Sequence, residues 1–214
     1  WKQFHSESGS ISSVLLEDGS KIWLNSNTTL SLNEKETLAR LEGEAFFEIK
    51  HDEKRSFTVD VGALKVRDLG TSFNISAYPE DDYVRATLID GQIVIFDGEH
   101  NELSQVAVNQ TFRFKKADGS FIMERLDKGL ITGWMDNKFV FIDMPLADIC
   151  QEIEKWYGVS ILFEDEQLKT EKYTSVIRRT TTVSQLMEMF KLTTGINYKI
   201  KEQEDGKPVI YFSK

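Results

Sequence analysis

The residues able to do chemistry in this 214-residue chain are few and scattered. Its three histidines, His5, His51 and His100, stand beside turn or acidic residues and far from the spacing of a metal-binding set. They read as solvated loop histidines. No nucleophile elbow, phosphate-binding loop, zinc-protease helix or calcium-binding loop is present, so neither phosphate nor zinc chemistry is supported. Glu44 and Glu48 are a pair of carboxylates that could in principle serve as acid and base in glycoside hydrolysis. Four residues apart on one strand they lie about 13 Å from each other, wider than that chemistry uses, and read as a solvated strand face. Thr71 and Ser72 offer neighbouring hydroxyls with no histidine close in sequence to activate them, and read as a turn entering a strand. The acidic run Glu164, Asp165 and Glu166 is expected to be solvated and not to hold a cation. A hydrolase would need a cleft gathering Glu44 or Asp60 with a histidine, and sequence order does not bring these together. No catalytic, metal or cofactor site is expected.

The elements that would position such residues come from composition and periodicity. With 40% apolar residues the chain can bury one good core or two small ones, and 13 Gly with 3 Pro argue against a disordered or low-complexity protein. A formal charge of -9 repels a phosphate backbone, and no basic stripe overcomes it, so nucleic acid is not an expected partner. The longest apolar runs, such as Phe139 to Ile142, are far short of the roughly 20 residues that cross a bilayer. A start on Trp1 with no leader is what a piece of a longer protein looks like. The single cysteine, Cys150, falls with Leu146, Ile149 and Ile153 on one helical stripe and reads as a small core residue.

From Val14 to about Arg125, short alternating strands follow one another. Asp18-Gly19, Asp90-Gly91, Asp97-Gly98 and Asp118-Gly119 are expected to supply the positive φ of tight hairpins. This predicts an all-β domain, either a sandwich or solenoid-like stacked sheets. The aromatic residues Trp23, Phe46, Phe73, Trp134, Trp156 and Tyr157 recur at strand or helix spacing, which favours core packing over a sugar platform. After the break at Leu126, Asp127, Lys128 and Gly129 the period changes, and a repeat offset by 37 residues appears. Phe139–Ile142 aligns with Val176–Arg179 as a strand. Leu146, Ile149 and Ile153 align with Val183, Leu186 and Phe190 as a helix face, and Gly158 aligns with Gly195 as a left-handed helix stop. Pro145 suits a first helical turn, and Thr182 with Gln185 suits a capping box. Two β-α-β units, each too small to fold alone, predict an α+β domain with its helices between or against small sheets. The expected domains are 1–126 and 137–214, with a linker over 127–136.

Several stretches in order resemble the FecR family of anti-sigma regulators: LEDGSKIWLN at Leu16–Asn25, LEGEAFFEI at Leu41–Ile49, FTV at Phe57–Val59, LGTSFNI at Leu69–Ile75 with Ala77 and Tyr78, and LIDGQIV at Leu88–Val94. Trp134, Phe141, Pro145, Leu146 and Tyr157–Val159 are similar to the following domain of the branch common in Bacteroides-like bacteria, itself similar to the short N-terminal domain of secretins and TonB-dependent transducers. The resemblance implies a non-enzymatic, signal-receiving periplasmic region of a single-pass inner-membrane protein, with the membrane anchor upstream. It implies two partners, the signalling domain of a TonB-dependent outer-membrane transducer and, through an absent cytoplasmic segment, a sigma factor. It carries no active-site residues and no cofactor. Two departures from the family pattern stand out: Asn137 where members often have glycine, and the basic pair Arg178 and Arg179 in the second repeat strand. Strand addition to an exposed edge would place the partner beside Val176, Ile177, Arg178 and Arg179. The rival reading is a carbohydrate-binding or adhesion module of the cell envelope, which needs an exposed aromatic.

Overall fold

Strands such as Thr28–Leu32 and Leu64–Asp68 bury every second side chain, and that alternation dictates a sheet with one face on a core. The computed structural model describes residues 1–52, 56–68, 70–125, 131–202 and 207–214. Leu69 and the break at Leu126 to Gly129 lie outside the described residues. The chain divides into two compact units, Trp1–Thr132 and Gly133–Lys214.

The first unit is a 13-stranded curled sheet with two walls. Its strands are β1 (Lys2–Ser6), β2 (Ser12–Leu15), β3 (Lys21–Leu24), β4 (Thr28–Leu32), β5 (Leu38–Glu48), β6 (Phe57–Asp60), β7 (Leu64–Asp68), β8 (Ser72–Ala77), β9 (Tyr83–Asp90), β10 (Ile93–Asp97), β11 (Glu102–Val106), β12 (Gln110–Lys115) and β13 (Phe121–Arg125). The first wall runs β1-β4-β5-β6-β7-β10-β11, and the second runs β2-β3-β5-β8-β9-β12-β13. Both walls advance in chain order, with no strand returning to an earlier neighbour. A Greek-key sandwich needs such a return, so this is the solenoid-like arrangement.

One strand serves both walls. Residues 39–42 of β5 pair with β4, and residues 43–48 pair with β8. The change of wall occurs at Gly43, whose φ is +114° and where an added Cβ would lie 2.7 Å from the Thr28 Cα. Between the walls Phe47 stacks on Phe73 at 4.8 Å and meets Phe57 at 6.0 Å, with Leu30, Leu41, Val59, Val66, Ile75 and Ile93 around them, all buried. Each such side chain contributes on the order of 1.5–3 kcal/mol by leaving water.

The turn dipeptides divide. Asp18-Gly19 and Asp118-Gly119 close hairpins with the glycine at positive φ, as expected. Asp90-Gly91 does not close a hairpin: β9 and β10 belong to different walls, and the glycine turns the chain from one to the other. At Asp97-Gly98 the left-handed residue is His100 (φ 70°) instead of the glycine. There Asp97 organises the turn, its Oδ1 accepting from the Glu99 and Asn101 amides, and its hydrogen bonds from Asn101 hold its carboxyl below the usual range.

The second unit contains β14 (Lys138–Pro145), α1 (Leu146–Tyr157), β15 (Ser160–Phe163), β16 (Lys172–Arg178), α2 (Val183–Thr194), β17 (Asn197–Glu202) and β18 (Pro208–Ser213). The 37-residue offset superposes the helices end to end. Gly158 (φ 65°) and Gly195 (φ 75°) both cap in the left-handed region, and Thr182 and Gln185 form the expected capping box. Pro145 is the N-cap of α1, one residue ahead of its first turn. β14 and β16 form an antiparallel pair, while β15 (parallel) and β17 (antiparallel) flank β18, a strand outside the repeat. Phe190 of α2 meets Tyr173 of β16 at 6.5 Å and Phe212 of β18 at 6.2 Å, so this helix lies between the two small sheets. Residues 133–136, expected in the linker, form a 3-10 turn of this unit with Trp134 buried.

The strand part of the repeat is out of phase with the expectation. Phe139 and Phe141 are buried in β14, whereas in the second copy Ile177 and Arg179 are buried and Val176 and Arg178 exposed. A bulge between Phe141 and Met144, with Asp143 at φ 49°, adds one residue between strand and helix in the first copy. A one-residue shift exchanges the two faces of a strand, so Ile177 corresponds to Phe139 and Arg179 to Phe141.

Candidate docking site

Among the described residues β16 pairs only with β14, which leaves its other edge open. Arg179 donates its amide to Asn137 O on the β14 side (2.8 Å). Amide direction alternates along a strand, so the amides of Val176 and Arg178 face the open edge. Val176 is 65% exposed and Arg178 is exposed. Ile177 and Arg179 point inward. The Arg179 guanidinium lies 4.6 Å from the ring centres of both Phe139 and Trp156, and its carbonyl accepts from Trp156 Nε1 at 3.1 Å. The basic pair is therefore divided, with one arginine at the surface and one in the core. Asn137, one of the two departures noted in the sequence, adopts φ 56°, a backbone asparagine tolerates.

Beside this edge lies an open groove of about 310 Å³ between β16 and α2, lined by Tyr173, Ser175 and Ile177 from the strand and by Met189, Phe190 and Thr193 from the helix, among others. Burial and the hydrogen bond Tyr173 donates to Glu171 (2.6 Å) push its phenol up to about 12, so it stays a neutral donor at physiological pH. The helix side of the groove was not singled out from the sequence, although a signal existed in the repeat. Where the first copy has Glu152 and Lys155, the second has Met189 and Leu192, apolar and 44% and 76% exposed.

Glu44 is half-buried and braced, accepting from Asn25 Nδ2 (2.6 Å) and Asn74 Nδ2 (2.9 Å), which corrects the solvated-face reading, while Glu48 is exposed. The Thr71 hydroxyl donates to the buried Asp68 carboxylate, which also accepts from the Gly70 amide (3.1 Å), so it serves the turn before β8. Asp165 caps the short turn at Glu166–Thr170, and Glu166 pairs with Lys169 at 2.8 Å. Cys150 is buried, and burial pushes its thiol up. His5 meets Thr29 (3.0 Å) and His51 packs against Gly70. Among the described residues no group of three or more His, Cys, Asp or Glu is arranged to hold a metal. Asp60 and His100, 40 residues apart, do line one cavity, in which His100 Nε2 contacts Lys65 Nζ (2.8 Å) and Asp60 Oδ1 accepts from Gly62 N (2.9 Å). Of the aromatics at strand or helix spacing, Phe46, Phe73, Trp134 and Trp156 are buried in cores, while Trp23 and Tyr157 are half-buried. No described helix is long and apolar enough to cross a membrane.

Residues 2–94 match the family model described as FecR protein, and residues 138–204 match that described as FecR, C-terminal. Together the two matches span most of the chain. Two crystal structures of candidate anti-sigma factors from Parabacteroides distasonis ATCC 8503 have the same fold. One has a TM-score of 0.83 at 22% identity, covering 100% of both chains. The other has a TM-score of 0.81 at 23% identity, covering 100% of this chain and 99% of its own. No curated protein matches the chain.

Proposed function

Since the chain belongs to the FecR family, we propose that it is the periplasmic, signal-receiving region of a membrane-anchored anti-sigma factor. The signalling domain of a TonB-dependent outer-membrane transducer docks on the second unit, and the sigma factor is held by a cytoplasmic segment of the same protein. The observation that carries the reading is the open edge of β16, where the outward amides of Val176 and Arg178 border an apolar groove. An added strand would take its main-chain hydrogen bonds from that edge, place alternate side chains toward the groove, and meet Arg178 with an acidic residue.

Calorimetric titration of the chain with signalling domains of transducers encoded beside it tests the proposal. Saturable binding is expected with one of them. Val176→Pro deletes an edge-facing amide without deleting a β14 ladder bond and should abolish binding, and Arg178→Glu should weaken it about tenfold. Binding that survives both substitutions would move the docking site elsewhere, and failure with every such domain would remove the transducer as partner.

A further inference from the structure

We propose that the cavity on the outer face of the first wall binds a small hydroxylated organic anion, of the class of a sugar acid or sugar phosphate. This site lies in the first unit and does not rest on the docking reading. The cavity measures about 360 Å³, within the range of small-ligand sites, and Thr58, Asp60, Lys65, Arg67, Phe96 and His100 are among its lining residues. Register places them together. Thr58 stands opposite Arg67, Asp60 opposite Lys65, and Lys65 opposite Phe96, while the intervening Val59, Val66 and Ile95 are fully buried on the core side.

The chemistry of the lining is specific. In a chain of net charge -9, Lys65, Arg67 and His100 converge here against the single carboxylate of Asp60. Lys65 stands opposite Asp60, and its Nζ lies 2.8 Å from His100 Nε2. The Arg67 guanidinium lies over the Phe96 ring at 4.4 Å, which holds its planar fork before any ligand arrives. Two cationic donors fixed at the rim suit a carboxylate or phosphate. Asp60, with Gly62 N on one oxygen, retains acceptor capacity for a sugar hydroxyl, and the Thr58 hydroxyl can donate or accept.

The test titrates the chain with glucuronate, glucose 6-phosphate, inorganic phosphate and glucose, followed by calorimetry and by backbone amide shifts. Glucuronate or glucose 6-phosphate should saturate a single site and shift amides at 58–67 and 96–101, and the tighter of the two names the anion. Arg67→Ala and Lys65→Ala should each weaken binding about tenfold while the denaturation midpoint stays in place. Three outcomes would overturn the proposal: no saturable binding of either sugar anion, binding unchanged in both variants, or glucose or inorganic phosphate binding as tightly as the sugar anions.

Discussion

Arg178 and Arg179 are adjacent and chemically identical, yet the fold gives them opposite tasks. Arg179 is 6% exposed, packed against Phe139 and Trp156, where a desolvated cation over two ring faces gains on the order of 2 kcal/mol. Arg178 stands exposed on the other face of the strand. Arg179→Ala is therefore expected to cost about 2 kcal/mol or more of stability, since it leaves a void between two aromatic rings and deletes the cation. Arg178→Ala should stay within about 0.5 kcal/mol of the parent. Urea denaturation of the two variants separates them, and equal midpoints would contradict the assignment. The distinction matters for any docking experiment, because a loss of binding in an Arg179 variant would report unfolding and not contact.

At the scale of elements, the device that makes two walls from one chain is the bend in β5. Gly43 combines a left-handed φ with a Cβ direction aimed at the Thr28 backbone, so Gly43→Ala meets both backbone strain and a 2.7 Å clash with main chain that cannot swing aside. A loss of about 3 kcal/mol or more is expected, read from thermal or urea denaturation, whereas Gly62→Ala, with open space around it, should cost only the φ penalty of about 1 kcal/mol. Equal losses at the two sites would mean that β5 does not need its bend. The bend itself is not legible in the sequence. Alternation at Ala45–Ile49 and the Asp-Gly dipeptides revealed strands and turns, but a strand belonging to two sheets has the same period-2 pattern as one belonging to a single sheet. The helices of the second unit were legible because stripe, capping box and left-handed glycine agree in both copies. The strand phase was not, since the Asp143 bulge depends on cross-strand pairing that local pattern does not contain. The cavity at Lys65 and Arg67 was hidden for the same reason, being assembled from β6, β7, β10 and the turn at His100.

At the scale of the whole molecule, growth of both walls in chain order makes the first unit quasi-one-dimensional, with each strand held mainly by its two neighbours. Stability should then be graded along the chain. β5 is paired on both edges and contributes to both walls, and Phe47 on it stacks with Phe73 of β8. β1 and β11 end the first wall and β2 and β13 end the second, each with one partner among the described strands. On β13, Phe121, Ile122 and Met123 remain 40%, 48% and 37% exposed, so the second wall ends on a strand that buries little of its apolar surface. Native-state hydrogen exchange on the intact chain should find the slowest amides in β5 and β8 and progressively faster ones toward β1, β2, β11 and β13. Closing a sandwich by a returning strand would erase that gradient by placing late strands beside early ones, and uniform protection across the first unit would count against the solenoid-like reading. A graded module of this kind can lose its end strands without losing β5, so the gradient also predicts which part of the unit yields first under load.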